Sequence, residues 1–131
     1  MQHHYSFSKS ERLAGEKKIQ QLFENGKSLI AYPLRVLFLQ NSTQAEPCKV
    51  LFSVPKRRFK RANKRNLLKR RMREAYRLNK QLLYDDMNEQ KQGQMIGITY
   101  IANDILPFSL IEKKMTEAMH MLQHHWAKEC H

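Results

Sequence analysis

Apolar residues follow two rhythms along this chain, one of about 3.6 residues and one of two. Between Glu16 and Asn25, Ile19, Leu22 and Phe23 fall at i, i+3 and i+4, which predicts a helix with one buried face. Gly26 stands where a left-handed C-terminal cap is expected. From Tyr32 to Gln40 the period drops to two. Leu34, Val36 and Phe38 share one face of the predicted strand, and Arg35, Leu37 and Leu39 share the other. Both faces are largely apolar, so both are expected to be covered. Turn formers fill residues 41–47, and Lys49 to Val54 reads as a second strand with Val50, Phe52 and Val54 on one face. The short connection favours an antiparallel hairpin.

A long helix is predicted from about Arg61 to Leu83. At 100° per residue, Leu68, Met72, Ala75, Tyr76, Asn79 and Leu82 form one arc, while Arg65, Asn66, Lys69, Arg70, Arg73 and Arg77 form the next. Polar residues 84–94 read as a loop, and Met95 to Ala102 as a third strand. After a turn at 103–107, Phe108, Ile111, Met115, Ala118, Leu122 and Trp126 recur at helical spacing. Capping-box patterns occur at Ser8/Glu11, where Gly15 interrupts any helix, and at Ser109/Glu112. The order is helix, hairpin, long helix, strand, helix. It predicts an α+β fold, a small mixed sheet packed with three helices, whose strand–helix–strand unit is parallel if its strands are neighbours. The 131 residues suit one domain, 1–131, with an irregular arm at 1–14 and a mobile tail from about 128.

Charge changes this picture at one place. Lys56 to Lys80 carries thirteen Lys and Arg against one acid, Glu74, an excess of 12 that equals the net charge of the whole chain. Self-repulsion of this kind is relieved by a polyanion. A solvated charged face normally mixes signs. A membrane-surface helix would need the same apolar stripe that the core needs. No stretch is long enough to span a membrane, and the N-terminal residues lack the apolar run of a signal peptide. The two cysteines, Cys48 and Cys130, fit a reducing cytosol better than a disulfide framework.

Catalytic patterns are lacking. His120 and His124 have metal-compatible spacing, but no acid or cysteine stands at ligand spacing beside them. Asp85 and Asp86 read as solvated loop acids. No phosphate-binding loop, dinucleotide fingerprint or nucleophile elbow occurs. By its own residues the chain reads as a binder. Without a helix-turn-helix or zinc-finger pattern, and with few base-reading side chains besides Asn63 and Asn66, the basic ridge suits backbone and shape recognition of structured RNA. Binding to DNA is the competing possibility.

The segment SVPKRRFKRANKRNLLKRRMREAYRLNK resembles the signature of the bacterial ribonuclease P protein subunit family. That signature is a strand ending in S-V-x-K, a short loop, and a helix carrying R-N-R-x-K-R-x-x-R-E-x-[FY]. Here these positions are Ser53, Val54, Lys56, Arg65, Asn66, Lys69, Arg70, Arg73, Glu74 and Tyr76. Arg12-Leu13, followed by a short helix with Phe23 and Gly26, is similar to the family's N-terminal pattern. Leu67 departs from the usual arginine, Ile19 from a frequent phenylalanine, and the loop after Lys56 is longer and more basic.

The resemblance implies a ribonucleoprotein that removes the 5′ leader from precursor tRNA, with its catalytic centre and Mg²⁺ ions in the RNA subunit. It implies one protein per catalytic RNA, a cytoplasmic location and a left-handed βαβ crossover. The expected contacts to catalytic RNA are Lys56, Arg57, Arg58, Lys60, Arg61, Lys64, Arg65, Asn66, Lys69, Arg70 and Arg73. The expected leader cleft, between the first helix and the sheet, holds Arg12, Ile19, Phe23 and Phe38. A ribosomal or RNA-chaperone-like protein with no role in cleavage is the alternative.

Overall fold

The computed structural model describes residues 7, 9–41, 44, 46–83 and 93–129. A short 3-10 turn, Lys9–Glu11, leads into helix α1, Glu16–Asn25. Strands β1, Lys27–Ala31, β2, Leu34–Gln40, and β3, Cys48–Ser53, come next. Helix α2 spans Ala62–Asn79, and residues 81–83 are again helical. Strand β4, Gln94–Tyr100, and helix α3, Phe108–Glu129, complete the chain.

The four strands lie in the order β1-β2-β4-β3. The β3–α2–β4 unit is parallel, Val50 facing Ile96 and Phe52 facing Ile98, as the sequence predicts. The predicted hairpin between β2 and β3 does not form, because β4 inserts between them and pairs antiparallel with β2. The real hairpin is β1–β2, closed at Tyr32–Pro33, whose peptide bond is cis. Strand β1 escapes sequence reading because KSLIA is a short edge strand that buries only Ala31 and, partly, Leu29. Strand β2, apolar on both faces, sits inside the sheet, where α2 and α3 cover one face and α1 covers part of the other.

Two cores follow from that alternation. On one face Leu34, Val36, Phe38, Val50, Phe52, Ile96, Ile98 and Tyr100 pack with Leu68, Met72, Ala75 and Tyr76 of α2 and with Ile111, Met115, Leu122 and Trp126 of α3. On the other, Leu13, Leu22, Leu37 and Met95 form a smaller cluster beneath α1. Leu22 seats deeply because Gly97 lies below it: a Cβ there would stand 3.1 Å from Leu22 Cδ2. Gly26 is needed for a similar reason. Its φ of −72° is not left-handed, contrary to the cap expected from sequence; a Cβ there would meet the Leu22 carbonyl oxygen at 2.5 Å.

The described residues of the N-terminal arm, 7 and 9–14, are tied to the sheet and α2. Arg12 bridges to Val50 in parallel, and the Leu13 amide donates to the Val50 carbonyl at 3.0 Å. Phe7 packs edge-on against Phe52 and Tyr76. Glu11 accepts a hydrogen bond from Lys80 Nζ at 2.7 Å, both groups buried. Ser8, its predicted capping partner, lies outside the described residues. The second capping box is also replaced. Helix α3 starts before Ser109, with the Leu110 and Ile111 amides donating to the Pro107 carbonyl. Glu112 instead accepts from Asn79 Nδ2 at 3.1 Å, tying α3 to α2. The helix continues to Glu129, past the start of the expected tail.

Cys48 is buried beside this arm, and its thiol is pushed up to about 12, first by burial and then by the Glu11 carboxylate, against the Tyr76 hydrogen bond and Lys80. An acid whose folded pKa is raised stabilises the fold fully below its unfolded pKa and loses that contribution as pH rises through the folded value. Stability is therefore expected to decline from about pH 9 toward 12 in wild type and less steeply in Cys48→Ala, read by urea unfolding. Equal slopes in the two proteins would contradict this assignment.

Candidate nucleic-acid interface

Helix α2 separates its two arcs as the sequence predicts. Leu68, Met72, Ala75 and Tyr76 are buried, while Lys64, Asn66, Arg70 and Arg73 are exposed and Lys69 is half-buried. Each buried aliphatic side chain on this stripe contributes about 1.5–3 kcal/mol, so the core fixes the rotation of the helix and thereby points the ridge outward. Lys69 and Arg73, four residues apart, repel on the helix surface. Arg77 leaves the ridge: it forms an ion pair with Glu74, the one acid of the segment, and Glu74 is held below its usual carboxylate range by that hydrogen bond. Lys80, the last base of the segment, is turned into the fold toward Glu11. Leu67 is half-buried and supplies no charge.

The helix begins at a cationic loop. Arg61 occupies the N-cap position with no side-chain hydrogen bond, and the first turn has no acid. Cations there oppose the helix dipole, and a phosphate would relieve that charge. Lys56, Arg57, Lys60 and Arg61 are exposed. Three other arginines are engaged within the protein. Arg58 Nη1 donates to Asn103 Oδ1 at 2.8 Å, Arg71 Nη1 to the Leu106 carbonyl at 2.8 Å, and Arg65 Nη1 to the carbonyls of Phe59 and Lys60 at 2.7 and 2.8 Å. A crevice of about 440 Å³ lies between this loop and residues 103–105, lined by Arg58, Lys60, Arg61, Lys64 and Asp104.

The sheet face beneath α1 is built in rows. Ser28, Leu37, Gly97 and Leu51 form one cross-strand row, and Ile30, Arg35, Thr99 and Ser53 the next. Leu22 covers the first row at Leu37 and Gly97. In the second row Ile30 and Arg35 are exposed and Thr99 and Ser53 are half-buried. That row ends where β3 passes into the cationic loop. Phe23 on α1 is 51% exposed, and Ile19 packs partly into the cluster under the helix. Arg12 is exposed, its guanidinium 5.6 Å from the centre of the Phe7 ring.

Phe38 does not join them. It is 4% exposed and faces the opposite layer, its ring 4.9 Å from that of His125 on α3. Strand alternation puts Leu37, one residue earlier, on the α1 side. The sequence expects Phe38 in a cleft on the α1 side, and the structure turns it to the opposite side. Arg35, which the sequence does not single out, is exposed on the α1 side of β2. Among the described residues no three His, Cys, Asp or Glu side chains converge to hold a metal ion. Asp85 and Asp86 lie outside them. His120 is exposed and pairs with Gln123 on its own helix.

Comparison with known proteins identifies the family of this chain. A family model described as Ribonuclease P matches residues 7–123. The ribonuclease P protein component of Porphyromonas gingivalis is 40% identical over 116 residues, 88% of this chain and 85% of that protein. That of Chlorobium phaeobacteroides is 32% identical over 132 residues, 92% and 90% of the two. Among solved structures, the RNase P protein of Thermotoga maritima superposes with a TM-score of 0.67 at 24% identity, covering 83% of this chain and 94% of that one. The Staphylococcus aureus RNase P protein gives 0.67 at 18% identity, covering 86% and 94%. The shared fold, the matched length and the ordered basic signature together place this chain in the ribonuclease P protein component family.

Proposed function

We propose that this protein is the protein subunit of a ribonuclease P that removes the 5′ leader from precursor tRNA. The observation that carries the reading is the cationic ridge and loop of α2, held outward by a buried stripe, in a chain of this family. Lys56, Arg57, Lys60, Arg61, Lys64, Asn66, Lys69, Arg70 and Arg73 grip phosphates of the catalytic RNA, one protein to each RNA. The leader, a single strand, runs over the open row Ile30, Arg35, Thr99 and Ser53 beside Phe23. Grooves of this kind pair cations with aromatic platforms, at about 1–3 kcal/mol per stacked base.

Cleavage chemistry belongs in this proposal to the RNA subunit, which supplies the Mg²⁺ sites. The protein neutralises phosphate charge and aligns the substrate. Among the described residues no helix is long and apolar enough to cross a membrane, and we assign the protein to the cytoplasm with its RNA. A ribosomal or chaperone-like role is less favoured, because it would not require the ordered signature from Ser53 to Tyr76.

The test adds this protein to a bacterial ribonuclease P RNA and precursor tRNA at low Mg²⁺. Faster 5′ cleavage than with RNA alone is expected. No gain defeats the proposal, and tighter binding to duplex DNA than to folded RNA at matched salt would favour the competing reading.

A further inference from the structure

Arg65 is a signature arginine of the basic helix, yet its guanidinium turns back onto the preceding loop. Nη1 donates to the Phe59 carbonyl at 2.7 Å and to the Lys60 carbonyl at 2.8 Å. The loop is pinned elsewhere as well. The amides of Arg58 and Phe59 donate to the Pro55 carbonyl at 3.1 and 3.4 Å. The Phe59 ring is buried 5.9 Å from that of Tyr100, and Arg58 Nη1 reaches Asn103 Oδ1. Residues 55–61 hold five cations, which would splay apart in a free loop. Two charge-assisted bonds from Arg65 oppose that splaying at the centre of the loop.

We infer that Arg65 is a positioning residue that straps the loop 55–61, so that Lys56, Arg57, Lys60 and Arg61 meet RNA as a preformed array. The inference rests on the RNA-binding reading above. It assigns Arg65 to the loop carbonyls instead of the RNA contact expected from the sequence. Preformation lowers the ordering cost of binding without adding a phosphate contact. Loss of the strap should therefore weaken binding while leaving the number of released counterions unchanged.

Two measurements test this on the full chain. The first is amide hydrogen exchange of residues 56–61 in the free protein. The second is the salt dependence of binding to a bacterial ribonuclease P RNA. In Arg65→Ala, exchange at Arg58 and Phe59 should quicken by about tenfold or more, and affinity should fall about tenfold at an unchanged salt slope. Arg65→Lys keeps the charge but its ammonium ends one bond short of Nη1, so it should repeat both effects. If instead Arg65→Lys binds as wild type, and Arg65→Ala loses about 0.9 of the slope with its loop still protected, Arg65 contacts phosphate directly and the inference falls. Failure of the wild-type protein to bind the RNA would sink the functional reading, and this inference with it. Unchanged exchange with wild-type binding intact overturns the strap alone.

Discussion

Lys80→Ala is expected to destabilise the fold by about 3–5 kcal/mol, a large part of the stability of a domain this size. Lys80 follows directly on α2, and Glu11 lies in the arm, 69 residues earlier. Their side chains meet at 2.7 Å and are only 5% and 10% exposed. Removing the ammonium leaves a carboxylate in a site with little water. Alanine cannot replace the hydrogen bond from Lys80 Nζ to Glu11. The arm carries Phe7, Arg12 and Leu13, so its release would uncover the ends of both cores. Replacing both partners by apolar residues, Glu11→Leu with Lys80→Met, removes the stranded charge and should recover most of the loss. Urea unfolding followed by circular dichroism measures both variants. A single variant within about 0.5 kcal/mol of wild type would show that the pair is solvated.

The second large effect falls on binding. Arg70→Ala with Arg73→Ala removes two exposed cations from the ridge. The salt slope of binding to the catalytic RNA should fall by about 1.8, at about 0.9 per phosphate contact, and affinity at low salt should drop at least tenfold. Stability should stay within about 0.5 kcal/mol, since neither side chain is buried. Lys113→Ala with Lys128→Ala removes the same charge from exposed positions on α3 and should change the slope far less. Equal effects from both pairs would mean that net charge, and not the ridge, drives binding.

Such separations were legible in the sequence wherever one helix decides them. The arcs of α2 follow from 3.6 residues per turn, so Leu68, Met72, Ala75 and Tyr76 could be assigned to the core before any coordinates. The α2 ridge was readable for the same reason. The side of the sheet on which Phe38 falls was not. Which side of β2 faces α1 depends on where α1 folds back, and both faces of β2 are apolar. Phe38 and Leu37 are therefore equivalent in pattern and opposite in space.

Local sequence also hid what each cation does. Arg58, Arg65, Arg71, Arg77 and Lys80 look like the other bases between Lys56 and Lys80, yet each meets a partner within the protein: Asn103, the carbonyls of Phe59 and Lys60, the Leu106 carbonyl, Glu74 and Glu11. Composition by itself placed the net charge of the chain in one segment, and helical periodicity determined which way that segment turns. Only the tertiary structure decided the strand order, the residues of the open sheet row and which cations are engaged within the fold. Those choices rest on contacts between residues distant in sequence, such as Glu11 with Lys80 and Arg58 with Asn103, and no local pattern encodes them.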